Sequence, residues 1–178
     1  MLPYIPPMPL LVRFLGTAAS RPTVERGVSA VAVIREGETI LVDCGEGTQR
    51  QMMRYGISFA FADVIFTHTH ADHILGLTGL IRTLQLQGRL EPLRLWGPPG
   101  STRTLRSCIS LGGDRTTFPI TISEIEAGSS IQRGDYRIEA FAVDHRDTSS
   151  IGIALIEEDR LGRFNPDLAR SMGIPEGP

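Results

Sequence analysis

The sequence contains no lysine; all eighteen of its basic residues are arginine. Genomic base composition accounts for this bias, and its chemical consequence is that any phosphate clamp on the chain must use the planar guanidinium fork. Cysteine is scarce as well. Cys44 and Cys108 form neither a disulfide framework nor a Cys-x-x-Cys metal site, and Cys44 reads as core; this usage fits a reducing compartment. Long hydrophobic runs are lacking. The opening MLPYIPPMPLLVRFLG is interrupted by four prolines, has no basic flank and is far shorter than a membrane span. It reads as an extended lead-in to a first strand, and no other run is long enough to cross a bilayer, so the expected location is cytoplasmic, without membrane contact. Excess positive charge is absent too. A net charge of −2 excludes a molecule that is basic all over, so nucleic-acid contact must come from a local patch or from sequence outside this chain.

The 178 residues suffice for one domain with a real core. Apolar runs at 10–15, 28–34, 39–44, 62–67, 92–96, 120–125 and 151–157 read as strands, and 130–132 with 136–143 as a hairpin about Arg133-Gly134-Asp135. A short helix is expected over 48–55, stopped by Gly56. A second over 74–86 places Ile74, Leu77, Leu80, Ile81 and Leu84 on one face. A third starts at a Ser101 or Thr102 cap and runs to about Leu111, and a fourth starts at Asn165-Pro166 and ends at Gly173. Strands interleaved with helices, together with hairpins, predict an α/β fold with a mixed sheet. There is no repeat, linker or low-complexity tract. Gly45-Glu46-Gly47-Thr48-Gln49 lacks the lysine and the spacing of a phosphate-binding loop.

The chemistry is concentrated in His68-Thr69-His70-Ala71-Asp72-His73. Three of the four histidines and a carboxylate fall in six residues, between an apolar strand and a helix. Polar caps alone would need only Asp72. His68 and His70, two apart on extended backbone, project to one side. Asp72 and His73 follow as the chain turns into the helix and point elsewhere. One loop can therefore serve two adjacent cations, and the imidazole–carboxylate mixture suits zinc, with manganese possible. His145, in Val143-Asp144-His145-Arg146-Asp147, is the remaining histidine and the expected third ligand of the first cation, ahead of Asp144 and Asp147. Asp43, at a strand end before a Gly-rich turn, either accepts a hydrogen bond from a ligand histidine or caps the turn and helix that follow.

HTHADH matches the His-x-His-x-Asp-His signature of the metallo-β-lactamase superfamily. FLGTAASRP, LVDCGEGTQRQMMRYGI, the PPG turn after LWG, and GRFNPDLARSMGIPEGP occur with it in the expected order. Together they resemble RNase Z, a tRNA 3′-processing endoribonuclease family, from about Val12 to Pro178. The resemblance implies the αβ/βα sandwich of that superfamily, of which this chain supplies the first half and the start of an exosite arm. It divides the chain into a catalytic-domain portion, 1–157, and the entry to a flexible tRNA-binding arm, 158–178. It also implies that His68, His70 and His145 bind one zinc ion and that Asp72 and His73 bind a second. Asp72 would in addition take the proton of the attacking water, with Asp43 behind the ligands. Precursor tRNA as substrate and a homodimer as the working form are implied too, with no DNA partner.

The family pattern continues to a bridging aspartate and two more histidines that have no counterpart here. The expectation is therefore a fragment whose catalysis needs the rest of the enzyme. Two other readings stand beside it: a hydrolase of small phosphodiesters or esters on the same metal motif, and a non-catalytic zinc-binding half-domain that serves as an interaction module.

Overall fold

The computed structural model describes residues 10–111, 113, 115–158 and 165–175. The N-terminal lead-in, apart from its last residues, and parts of the 158–178 segment lie outside the described residues. A six-stranded sheet runs in spatial order β1(Leu11–Gly16), β2(Ala30–Arg35), β3(Glu38–Val42), β4(Asp63–Ile65), β5(Leu93–Gly97), β6(Ile120–Glu124). β1, β2 and β3 pair antiparallel; β3 to β6 pair parallel. A three-stranded antiparallel sheet follows: β7(Ser130–Gln132), β8(Tyr136–Ala142), β9(Ile151–Glu157). The helices are α1(Thr48–Arg54), α2(Ala71–Ile74), α3(Gly76–Leu86), α4(Thr102–Ser110) and α5(Pro166–Ser171).

The central strands are apolar on both faces because both are covered. One face takes the helices: Leu41, Val64, Leu93 and Leu95 pack with Met52 of α1, Leu77, Leu80, Ile81 and Leu84 of α3, and Leu105 of α4. The other face takes the second sheet: Ile40 and Ile65 pack against Ile131, Tyr136, Ile138, Ala140 and Ile151. The layers are thus helix, sheet, sheet. The apolar face expected of the 74–86 helix is buried throughout.

Several expected boundaries shift for local reasons. β2 begins at Ala30, because Val28 sits in an isolated bridge with Ala18. β3 ends at Val42, because Asp43 takes a left-handed conformation with φ 59°. Cys44 is therefore past the strand, though fully buried, and burial pushes its thiol up to about 12, which leaves it inert. The 74–86 helix is divided at Leu75, and its short first part, α2, includes Asp72 and His73. Ser101 occupies the N-cap position of α4 without a capping side-chain bond; Glu124 Oε1 accepts from the Thr102 N–H at 3.0 Å instead. The Asn165 cap is as expected, its Oδ1 accepting from Leu168 N at 3.0 Å.

Ionic contacts fasten the two sheets at the β4 entry. Asp63, only 1% exposed, accepts from Arg94 Nε and Nη2 at 2.8 and 2.6 Å, from Trp96 Nε1 at 2.7 Å, and from Arg133 Nη2 of the β7–β8 turn at 2.8 Å. Beside it, buried Arg35 donates to Glu157 and Asp135, each at 2.7 Å, and lies over the Tyr136 ring. Burial opposes the charge on Asp63, but its hydrogen bonds to Arg94 and Trp96 and the charge of Arg133 outweigh it and hold the carboxyl below its ordinary range. Removing one partner of such a network strands the others. Asp63→Ala should cost about 3 kcal/mol, the low end for a buried pair because Arg94 keeps part of its solvent. The pH sign follows from the lowered value: this stability is present above about pH 4 and is lost as pH falls through the folded pKa. Urea denaturation of wild type and variant at neutral and acid pH checks both statements.

Candidate metal centre

The carboxyl ends of parallel strands point their loops to one edge of the sheet, the usual position of a site in open α/β sheets. Asp43 follows β3 there and His68 to His73 follow β4. His145 arrives from the other sheet, in the turn between β8 and β9. The start of β9 is tied to the histidine loop by the Ile151 N–H, which donates to Thr67 O at 2.9 Å.

Asp43 organises the interior of this edge. Its carboxylate accepts from Thr67 N at 2.8 Å, from Ser29 Oγ at 3.1 Å, and from His73 Nδ1 at 2.7 Å; the Thr67 hydroxyl lies 3.1 Å from both of its oxygens. The bond to His73 fixes that ring's proton on Nδ1 and turns Nε2 outward, 3.7 Å from Asp72 Oδ2. Asp72 in turn accepts from the backbone N–H of Ser20 at 2.8 Å. Two glycines permit this crowding: a Cβ on Gly45 would strike the Asp72 carbonyl, and one on Gly76 would strike the Gly45 carbonyl.

His68, His70 and His145 converge. Each offers a ring nitrogen, and the three nitrogens lie within 4.8 Å of one another. His145 Nε2 is 3.3 Å from His70 Nδ1, and the other nitrogen of His70 meets Thr148 Oγ1 at 3.1 Å. The His68 and His73 ring centres are 3.9 Å apart, so the Asp72–His73 pair adjoins the trio. Three imidazoles turned toward one point are a donor set that suits a divalent cation. Asp144 and Asp147 are exposed and outside this trio, and Asp144 is engaged with the backbone N–H of Arg146. The hexapeptide and His145 were legible from the sequence. Thr67, Ser29, Ser20 and Thr148 were not singled out. Thr67 adjoins the motif and Ser20 lies in FLGTAASRP, which were the available signals.

Electrostatics separates the two neighbouring rings. Burial, followed by the charge of His73, pushes His68 down to about 4, so it is neutral under ordinary conditions. Burial also pulls on His73, but the Asp43 hydrogen bond and the charges of Asp43 and Asp72 raise it above its ordinary value. For Asp72, burial is outweighed by the Ser20 N–H, a hydrogen bond from its own backbone and the nearby histidines, which lower it.

The layered α/β architecture and this strand-end histidine motif define a metallo-β-lactamase-fold protein. The fold agrees with that of YhfI from Bacillus subtilis, a metallo-β-lactamase fold protein, at TM-score 0.66 and 18% identity over 81% of this chain and 57% of that one. A family model described as Anti-Pycsar protein Apyc1 matches residues 10–169, and the chain belongs to that family. The motif resemblance to RNase Z is also borne out. The Ribonuclease Z of Gemmatimonas aurantiaca is 73% identical over 172 residues, which are 96% of this chain and 55% of that protein. The crystal structure of the short form of human tRNase Z superposes at TM-score 0.73 with 31% identity, over 82% of this chain and 64% of that one. The chain thus spans about half the length of the curated relatives it matches.

The opposite shifts of His68 and His73 predict a stability maximum in chelator-treated protein. His73, raised by folding, contributes fully below pH 6.5, and that contribution is lost as pH rises through its folded value. His68, lowered by folding, makes stability fall as pH drops from 6.5 toward 4. The maximum should therefore lie near pH 6.5, and Asp43→Asn should flatten the alkaline limb. Urea midpoints from about pH 5 to 8 provide the check.

Proposed function

We propose that the chain is the zinc-binding part of an endoribonuclease that removes the 3′ trailer from precursor tRNA. The observation that carries this reading is the convergence of His68, His70 and His145 beside the Asp72–His73 pair, in a chain 73% identical to a Ribonuclease Z. His68, His70 and His145 hold one zinc ion, and Asp72 and His73 hold a second. In this reading, as the family resemblance implies, an aspartate and a histidine that complete the pair belong to the part of the relatives' length that this chain does not span. Zinc supplies Lewis acidity and activates water at neutral pH. Asp72, aimed by the Ser20 N–H, takes the proton of the attacking water. The water oxygen bonds to phosphorus and the bond to the tRNA 3′ oxygen breaks. That oxygen leaves as a hydroxyl after taking a proton from solvent, and the trailer keeps a 5′-phosphate. Asp43 keeps His73 from turning away during this exchange.

The net charge of −2 places most of the grip on RNA elsewhere, by shape and phosphate contact. The segment 158–178, which includes α5, is the entry to the arm that provides it, and a second protomer presents that arm. Work in the cytoplasm fits the two free cysteines, Cys44 and Cys108. No helix among the described residues is long and apolar enough to cross a membrane.

The test supplies this chain with the C-terminal remainder of the Gemmatimonas relative and follows trailer release from a labelled precursor tRNA. Activity should disappear on chelation and return with zinc. Asp72→Ala should lower turnover by about 100-fold or more, and near-wild-type cleavage by that variant rejects its role. Hydrolysis of a small chromogenic phosphodiester without any cut in precursor tRNA would move the assignment to a small-molecule phosphodiesterase.

A further inference from the structure

We infer that Thr67 is a positioning residue: its hydroxyl, aligned by Asp43, holds the ring proton of His68 on Nδ1 and so keeps the Nε2 lone pair free for a cation. This inference rests on the metal-centre reading above and extends it to a residue outside the ligand set.

Every polar group of Thr67 has one assigned partner set. Its N–H donates to Asp43 Oδ1 at 2.8 Å and its carbonyl accepts from Ile151 N at 2.9 Å. Its hydroxyl lies 3.1 Å from both Asp43 oxygens and 2.9 Å from His68 Nδ1. The backbone bonds hold the residue from both sheets, so the hydroxyl has little freedom to choose other neighbours. It carries a single proton, and an ionised carboxylate can only accept. The proton therefore goes to Asp43, and a hydroxyl lone pair faces His68 Nδ1. That nitrogen must then carry hydrogen, or two lone pairs confront each other at a ring only 8% exposed. With Nδ1 protonated, Nε2 is the unprotonated nitrogen.

His73 reaches the same state without Thr67. Its Nδ1 is bonded to Asp43 at 2.7 Å, while the Thr67 hydroxyl is 3.5 Å away. One carboxylate thus sets two rings, one in each of the two ligand groups, directly in one case and through a hydroxyl in the other. His70 is met at Nε2 by the Thr148 hydroxyl at 3.1 Å, with no carboxylate behind that hydroxyl among the described residues, and His145 faces His70 Nδ1 at 3.3 Å; both rings are exposed. His68 is accordingly the preorganised member of the trio, and the first cation depends on the relay that holds it.

Nitrogen-labelled, chelator-treated protein at mildly alkaline pH, where the raised His73 has shed its second proton, reports ring protonation directly, through long-range proton–nitrogen spectra of the imidazoles. Wild type should show His68 and His73 both protonated on Nδ1. In Thr67→Val, which keeps the shape and the backbone N–H but loses the hydroxyl, His68 should lose its single tautomer while His73 keeps its own. Zinc affinity, measured by competition with a chromophoric chelator, should fall about 10- to 100-fold. Thr67→Ser should restore both readings. Protonation of His68 on Nε2 in the wild type overturns the inference, as does a Thr67→Val protein with unchanged tautomer and zinc affinity. The wild-type spectrum decides the tautomer even if Thr67→Val fails to fold, and Thr67→Ala then provides the affinity comparison. Wild type that shows Nδ1–H on His68 yet takes up no zinc upholds the tautomer assignment and rejects the metal-centre reading instead.

Discussion

The carboxylate of Asp43 is 4% exposed and accepts from groups on separate segments: Ser29, the backbone and side chain of Thr67, and His73. A buried carboxylate is costly unless its lone pairs are filled, and these donors fill them. In doing so they set the loop after β4 and the first turn of α2 against the end of β3. The left-handed backbone of Asp43 turns the chain into Cys44 and Gly45, where the Cys44 N–H donates to His73 O at 2.7 Å and Cys44 O accepts from Gly76 N at 2.9 Å. One residue thereby fixes strand end, histidine loop and helix start as a unit.

That unit supplies four of the five proposed ligands, but the fifth comes from the second sheet. Its position depends on how the sheets stack. At the end of the sandwich remote from the histidines, Asp63 and Arg35 bind the β7–β8 turn to the first sheet through arginine–carboxylate pairs. At the histidine end the corresponding tie is a hydrogen bond from Ile151 to the Thr67 carbonyl. Between them lies an apolar layer of Ile40, Ile65, Ile138 and Ile151. Hydrophobic burial holds the sheets together without choosing a register. The polar ties at each end choose it, and His145 is brought to His68 and His70 as a result.

A ring pushed down to about 4 beside one raised above its ordinary value shows how one carboxylate treats two neighbours differently. His73 shares a hydrogen bond with Asp43 and gains from protonation. His68 meets it through a hydroxyl, and there burial and the charge of His73 outweigh the raising effect of the Asp43 charge. Both rings make these contacts through Nδ1, which leaves Nε2 as the other nitrogen of each.

Element types were readable in the sequence because they rest on local rules. Period-2 and period-3.6 apolar patterns, glycines past helix ends and the Asn165-Pro166 start act over a few residues, and the 74–86 helix, the Arg133 hairpin and the final helix followed them. The hexapeptide was readable because its donors are adjacent in the chain. The role of Asp43 remained open between two readings, since a carboxylate at a strand end looks the same whether it faces a helix N-terminus or a histidine thirty residues away. Its four donor contacts, the Ser20 N–H on Asp72, the Glu124 carboxylate that caps α4 and the place of Thr67 were decided only by tertiary structure. Hydrogen bonds between distant segments depend on which strand ends share a sheet edge, and no periodicity within the chain records that.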